Sequence, residues 1–351
     1  MQSNRLCPTG LRDALDLLNP WQRDFPLVHE PYAVLGQRLG RTGGEVLALL
    51  HSLRAHGALS RIGGVFSARA GGSALLAAMA VPVQRLHEVA AQVSAHPGVN
   101  HNYEREDRFN LWFVMTACDD AALELAMQGL ERTTGLDALR LPMLRPYRID
   151  LGFDLRAPLA ATPDARPCMG LAPAVADKDR ALAALLEEGL PLVERPYDQW
   201  ARTLGCETQG VLGQLQAWLR AGTLRRFGAI VRHHEFGFQA NAMTVFDVPD
   251  AVVDSCGERL ARQPGVTLAY RRQRADAWPF NLYCMVHGTD RQAVRDAIAR
   301  AVQDSGLTAF PQRVLFSRQR FKQTGARRFR ALPDGWGEAA FPRNEVGHAV
   351  A

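Results

Sequence analysis

The apolar positions of this chain change their period partway through, and they do so in the same order in each half. Over Pro31–Leu39 the residues Tyr32, Leu35 and Leu39 recur at helical spacing, and over Glu45–Leu53 the residues Val46, Leu47, Leu49, Leu50 and Leu53 make a broad apolar stripe. Gly57 stops that helix, and GALSRIGGVF leads into a strand. In the second half a helix over Val211–Arg220 stops at Gly222 and a strand begins at Leu224. Two short helices, a longer one and a strand pair predict a winged helix-turn-helix in each half.

Beyond it the pattern alternates between strand and helix. The first half reads as strand Leu75–Val83, helix Val83–His96, strands Val99–Arg105 and Arg108–Thr116, helix Asp119–Arg132 and strand Leu139–Ile149. The second half gives Ala242–Val248, Val252–Gln263, Val266–Arg272, Asn281–His287, Arg291–Ser305 and Gln312–Phe316 in the same order. That β-α-β-β-α-β order predicts a ferredoxin-like sheet, so the fold class is α+β in tandem duplication. The expected divisions are an extension over 1–22, helix-turn-helix units over 23–68 and 177–232, and ferredoxin-like domains over 69–155 and 233–323. A Pro/Ala-rich linker over 156–176 joins the halves, and a loose tail rich in Gly and Pro is expected over 324–351.

The duplication is direct. Pro26–Gly63 aligns without a gap on Pro191–Gly228, with 14 of 38 positions identical. The match resumes where PGVNHNYEREDRFNLWF (Pro97–Phe113) answers PGVTLAYRRQRADAWPFNLYC (Pro264–Cys284), the second copy carrying four extra residues. The chain therefore reads as a covalent pseudo-dimer whose copies have kept different polar residues.

Composition narrows the function classes. The 351 residues, 47% hydrophobic and 22% charged, suit several small globular domains. No apolar run is long enough for a bilayer, and no signal peptide opens the chain, so a cytoplasmic protein without membrane partners is expected. The 6 cysteines form no C-x-x-C pair, against a zinc ribbon, an iron–sulfur cluster or a disulfide framework. The net charge of +5 rests on arginine, since Lys178 and Lys322 are the only lysines. Arginine suits fork-like recognition of carboxylate or phosphate, so the expected partner is a nucleic acid or a polyanionic small molecule.

Three clusters carry candidate chemistry. On a strand, His101, Tyr103 and Arg105 share one face, placing a proton carrier, a phenol and a guanidinium in a row. The second cluster is Arg226 with His233, His234 and Asn241; adjacent histidines on a strand point to opposite faces, so at most one of the pair is expected to enter a given pocket. The third is Tyr270-Arg271-Arg272, at the repeat position of Tyr103-Glu104-Arg105. No metal site is expected, because no Cys or carboxylate stands near the histidine pair at closed-site spacing.

The order of a helix-turn-helix and a ferredoxin-like domain resembles the leucine-responsive (Lrp/AsnC) regulators. Yet Thr42-Gly43-Gly44-Glu45 and Glu207-Thr208-Gln209-Gly210, at the recognition helices, offer neither a base reader nor a phosphate clamp. A retained scaffold without DNA binding is the expectation. HNYERE…FNLWFV followed by Ile149-Asp150-Leu151-Gly152-Phe153 resembles the D subunit of siroheme decarboxylases of the d1-type haem pathway. RRFGAIVRHHEFGFQANAMTVFDVP, AYRRQR…WPFNLYCMVHG and FSRQRFKQTGAR are similar to the L subunit. The resemblance runs from about Leu15 to Arg327, as in a fused D–L protein.

The resemblance implies non-oxidative loss of two acetate carboxylates from siroheme, giving 12,18-didecarboxysiroheme, with no cofactor beyond the iron of the substrate. His101 and either His233 or His234 become proton donors, supported by Tyr103 and Tyr270. Arg105, Arg226, Arg271 and Arg272 become carboxylate binders, and Asn241 orients one of them. Neither copy holds the full set, so one composite site, or a dominant site beside a degenerate one, is expected. A regulator sensing haem or another small molecule, and a non-catalytic tetrapyrrole carrier, are the other readings. Further homodimerisation is compatible with all three.

Overall fold

The computed structural model describes residues 8–149, 152, 154–156, 159 and 172–330. The first half runs α1 (Pro8–Leu18), α2 (Pro31–Leu39), α3 (Gly43–Ala55), β1 (Leu59–Phe66), β2 (Ser73–Met79), α4 (Leu86–Ala95), β3 (Val99–Arg105), β4 (Leu111–Ala117), α5 (Asp120–Thr134) and β5 (Ala138–Ile149). The second runs α6 (Arg180–Glu188), α7 (Pro196–Leu204), α8 (Thr208–Ala221), β6 (Leu224–Val231), β7 (Ala240–Phe246), α9 (Val253–Ala261), β8 (Val266–Arg272), β9 (Leu282–Gly288), α10 (Arg291–Asp304) and β10 (Gln312–Gln323). Equivalent helices start and stop on equivalent signals. Pro31 and Pro196 open α2 and α7, which both end on a left-handed glycine, Gly40 and Gly205. Asp119 and Asp290 cap α5 and α10 by accepting from backbone N–H groups three residues on.

The helices α1–α3 and α6–α8 share one apolar core, in which Tyr32, Leu50, Tyr197, Trp200 and Leu215 are buried together. The repeated PLVxxPY segment explains the join. The Tyr32 hydroxyl donates to the carbonyl of Pro191 at 2.9 Å, and the Tyr197 hydroxyl donates to that of Pro26 at 2.8 Å. Each half thus satisfies the other's backbone.

The strand pair expected in each winged unit takes a different form. β1 pairs antiparallel with β6, with Gly63 opposite Gly228, so the ribbon is built between the halves. Glycine is needed at its centre. A Cβ on Gly228 would meet the carbonyls of Trp21 and Gln22 at 2.5 Å, and one on Gly63 would meet that of Leu186 at 2.8 Å.

Each half also forms the predicted ferredoxin-like sheet, and the two close into one eight-stranded barrel, in the order β10-β3-β4-β2-β5-β8-β9-β7. Closure depends on β5 and β10, each 12 residues long. β5 pairs with β2 over Ala138–Pro142 and with β8 over Met143–Ile149; β10 pairs with β7 over Gln312–Phe316 and with β3 over Ser317–Gln323. Each strand serves its own sheet first and the other half's sheet afterwards, which leaves no open edge. The barrel interior is filled by Trp112, Leu141, Met243, Trp278, Phe280 and Tyr283 among others. It is a core, not a pore. Phe109 and Phe280 belong to it, as does Trp278, which the four-residue insertion supplies.

The start of the tail is not loose. The Thr324 amide donates to the Asn100 carbonyl, that of Arg327 to the Thr116 hydroxyl, and those of Arg328, Phe329 and Arg330 to the buried Glu187 carboxylate. These bonds strap the barrel to the helical layer. Asp150, Leu151, Phe153 and most of the expected linker lie outside the described residues, as does the tail beyond Arg330.

Candidate active site

The ribbon lies over one end of the barrel, where β3 begins and β10 ends, and a cavity of about 190 Å³ separates them. Its walls include Arg61 and Arg226 from the ribbon, Asn100 and His101 from β3, His233 just after β6, and Gly325–Ala326 of the strap. The structure therefore brings His101, His233 and Arg226 to one space. Gly71 and Gly72, both with positive φ, let the chain pass close under Arg328 and Phe329 where the strap is anchored.

His101 and Tyr103 share a face of β3 as the alternation predicted, their rings stacked with centroids 6.3 Å apart. The His101 Nδ1 lies 2.9 Å from the Asn100 Oδ1. His101 lines the cavity; burial first, then the positive charges of Arg61 and Arg105, press its pKa down to about 4. Burial raises the pKa of the Tyr103 phenol. Arg105 is buried, spends one nitrogen on the Leu315 carbonyl at 3.0 Å, and has its guanidinium carbon 5.6 Å from the centre of the Tyr103 ring. Burial lowers its pKa to about 10, which leaves it charged.

In the second half, His233 and His234 stand on a short 3-10 turn over His233–Phe236, not on a strand. His233 is buried and faces the cavity, while His234 is exposed and is not among the cavity walls. The His233 ring is 5.9 Å from that of His287, a residue that was not singled out in the sequence. Burial and Arg105 hold His287 at a pKa of about 4. Asn241, on β7, accepts a 2.6 Å bond from the Ser317 hydroxyl of β10.

Tyr270 and Arg272 turn into the barrel interior. Arg272 repeats Arg105: one nitrogen bonds the Leu141 carbonyl at 2.7 Å, and the guanidinium covers Tyr270 at 4.6 Å. Both arginines thus tie their strand to the other half's long strand. Arg271 points to the opposite face of β8, where Asp250 at 2.9 Å and Asp254 at 3.7 Å hold it. It is absent from the cavity for that reason.

Arg61 is a further candidate that the structure brings to the cavity. It stands at the repeat position of Arg226, lines the cavity beside His101, and its buried Nε has no hydrogen-bond partner. Burial and Arg330 lower its pKa to about 10, only partly offset by Glu187, whose carboxylate already receives the strap amides. The cavity is thus an arginine-rich, imidazole-bearing space suited to a ligand with several carboxylates. Among the described residues no three His, Cys, Asp or Glu side chains gather as metal ligands, and no helix is long and apolar enough to cross a membrane.

A barrel of two fused ferredoxin-like sheets, capped by paired helix-turn-helix units over an arginine-lined cavity, defines a pseudo-dimeric protein of the AsnC type. Residues 69–148 and 235–322 match the AsnC-like ligand binding domain, and residues 15–59 and 179–225 match the siroheme decarboxylase NirDL-like HTH domain. The siroheme decarboxylase NirDL subunit of Paracoccus denitrificans is 41% identical over 313 residues, covering 89% of this chain and 96% of that one. A siroheme decarboxylase NirD subunit from Stutzerimonas stutzeri is 49% identical over 42% of this chain and 97% of its own. The crystal structure of siroheme decarboxylase NirDL in co-complex with an iron-uroporphyrin III analogue superposes with a TM-score of 0.62 at 27% identity, over 92% of this chain and 94% of that one. The chain belongs to the siroheme decarboxylase NirDL family.

Proposed function

We propose that this protein is a carboxy-lyase that removes carbon dioxide from two acetate side chains of siroheme, giving 12,18-didecarboxysiroheme for d1-type haem. The observation that carries this reading is the meeting of His101, His233, Arg61 and Arg226 around one cavity. Fork-like bonds from the arginines hold carboxylates and fix the macrocycle in register. At the reacting acetate the bond between methylene and carboxyl carbons breaks and carbon dioxide departs. The electron pair left on the methylene carbon, spread into the macrocycle, takes a proton and a methyl group results.

His101 is the donor we favour, with His233 as second donor; Tyr103, stacked on His101, supports it, Asn241 orients a carboxylate from the β7 side, and Tyr270, packed in the barrel interior, acts only through Arg272. Arg105 and Arg272, each tied to a carbonyl of the other half, contribute their positive charge. In the unliganded cavity His101 is neutral at pH 7, its pKa lying at about 4. Substrate carboxylates set beside the ring favour the imidazolium against burial and the arginine charges alike, so the imidazole gains its proton together with the substrate. No oxidant enters this balance, and the only iron it involves is the substrate's own.

The test is anaerobic incubation with siroheme, followed by mass spectrometry. Loss of two carbon dioxide units by the wild type, with His101→Ala binding siroheme yet stalling, is expected. Tight binding of unchanged siroheme by the wild type would make the protein a carrier, and turnover by His101→Ala at the wild-type rate would remove the acid assignment.

A further inference from the structure

The two halves carry the same irregularity at the same repeat position. The ladder of β3 slips between Val99 and His101, and that of β8 between Val266 and Leu268, so Asn100 and Thr267 are each the extra residue of a bulge. Bulges bend a strand and re-aim a side chain. Here both re-aimed side chains end on Nδ1 of a histidine: Asn100 Oδ1 at 2.9 Å from His101, and Thr267 Oγ1 at 2.9 Å from His287.

The direction of both bonds follows from proton counting. An amide oxygen can only accept, so the His101 Nδ1–H donates to Asn100. The single proton of the Thr267 hydroxyl goes to the Met285 carbonyl at 3.1 Å, so its oxygen accepts from the His287 Nδ1–H. Both neutral rings therefore carry their proton on Nδ1 and leave Nε2 as the basic nitrogen. An imidazole in water prefers the opposite tautomer.

We propose that Asn100 and Thr267 are positioning residues, which fix the ring orientation and tautomer of His101, at the cavity wall, and of His287, beside the cavity-facing His233. The observations favour a role in function over one in packing. Asn100 and His101 both wall the cavity, and the His287 ring lies tilted against that of the cavity-facing His233, with centroids 5.9 Å apart. The positive charges that act on the rings, Arg61 on β1 and Arg105 on β3 at His101 and Arg105 at His287, oppose their protonation. The backbone carbonyl of Asn100 also holds the Thr324 amide, so the same residue ties the strap to the acid.

The catalytic part of the test rests on the proposed decarboxylation; the tautomer part does not. Long-range proton–nitrogen spectra of the ligand-free, histidine-labelled protein should show Nδ1–H at His101 and His287. Asn100→Leu should lose it at His101 and Thr267→Val at His287, while Thr267→Ser should keep it. With siroheme, Asn100→Leu and Thr267→Val should lose kcat by roughly 10- to 100-fold, the loss typical of removing a histidine's outer partner, with little change in KM. Asn100→Asp should instead restore the bond and move the pH–rate profile upward, because a carboxylate favours the imidazolium. Unchanged tautomers in both apolar variants would overturn the proposal, as would lost tautomers with unchanged kcat and pH profile. A wild type inert toward siroheme would fail the decarboxylase reading while the spectra still decided the positioning one.

Discussion

Three histidines, buried or half-buried, should make this protein acid-labile. His96, His101 and His287 are each held at a pKa of about 4, chiefly by burial, against an ordinary value of 6.5. Between these limits the unfolded chain binds protons that the native one refuses. The stability is therefore complete above pH 6.5 and is lost as pH falls toward 4, at about 1.4 kcal/mol per pH unit for each histidine. Melting temperatures measured across that window should fall steeply, and His101→Gln should flatten the slope; an unaltered slope would mean that His101 is protonated in the native state. Arg61 makes the complementary case. Its charge is desolvated with a buried Nε left unbonded, a cost to the fold, and on the proposed function that charge serves the substrate. Arg61→Met should melt no lower than wild type yet bind siroheme about 10- to 100-fold more weakly, the worth of a charge-assisted bond. Weakened folding with unchanged binding would make Arg61 a packing residue.

Among the elements, the strap has the sharpest dependence on one side chain. Glu187, 4% exposed, accepts from the amides of Arg328, Phe329 and Arg330 at 2.8, 3.1 and 3.3 Å, with the Arg330 Nε at 3.6 Å. Truncation to Ala leaves these donors unmet and should cost on the order of 3 kcal/mol. Amide exchange at 328–330 should then quicken before that of β3, and equal protection in both would contradict the strap's dependence on Glu187. The sequence could not show this segment, because TGARRFR has no period and its order comes from a carboxylate some 140 positions away. β10 was read short for a related reason. Its second part, SRQRFKQ, is polar and becomes strand only by pairing with β3 of the other half. Where a pattern was local, as in α3 with its Thr42–Glu45 capping box or in the His101–Tyr103 alternation, the reading agreed with the structure. The histidine pair was misplaced because a 3-10 turn has no strand alternation. His287 and Arg61 had a signal that went unused: Arg61 repeats Arg226, and His287 replaces Thr116 at the end of an equivalent strand.

At the scale of the whole molecule, the fused halves behave as one folding unit, and the covalent link is the least of what joins them. Each would expose alone the outer edge of one sheet strand and the unpaired second part of its long strand, because β5 finds β8 and β10 finds β3 only across the seam. The ribbon would be unpaired as well, the Tyr32 and Tyr197 hydroxyls would lose their acceptors, and the Arg105 and Arg272 staples would be cut. Long exposed strand edges recruit partners, so a half expressed by itself should self-associate or aggregate. Cutting the chain in place is a different matter. A specific protease site inserted within residues 161–170 should yield two fragments that co-elute as one particle and retain the decarboxylation of the intact protein. Separation of the fragments at micromolar concentration would show that the barrel needs the tether to raise the effective concentration of its halves. Co-elution with lost activity would place a required residue in the cut segment. Retention of both would mean that the cavity is assembled by the seam contacts alone, with His101 supplied by one fragment and His233 by the other.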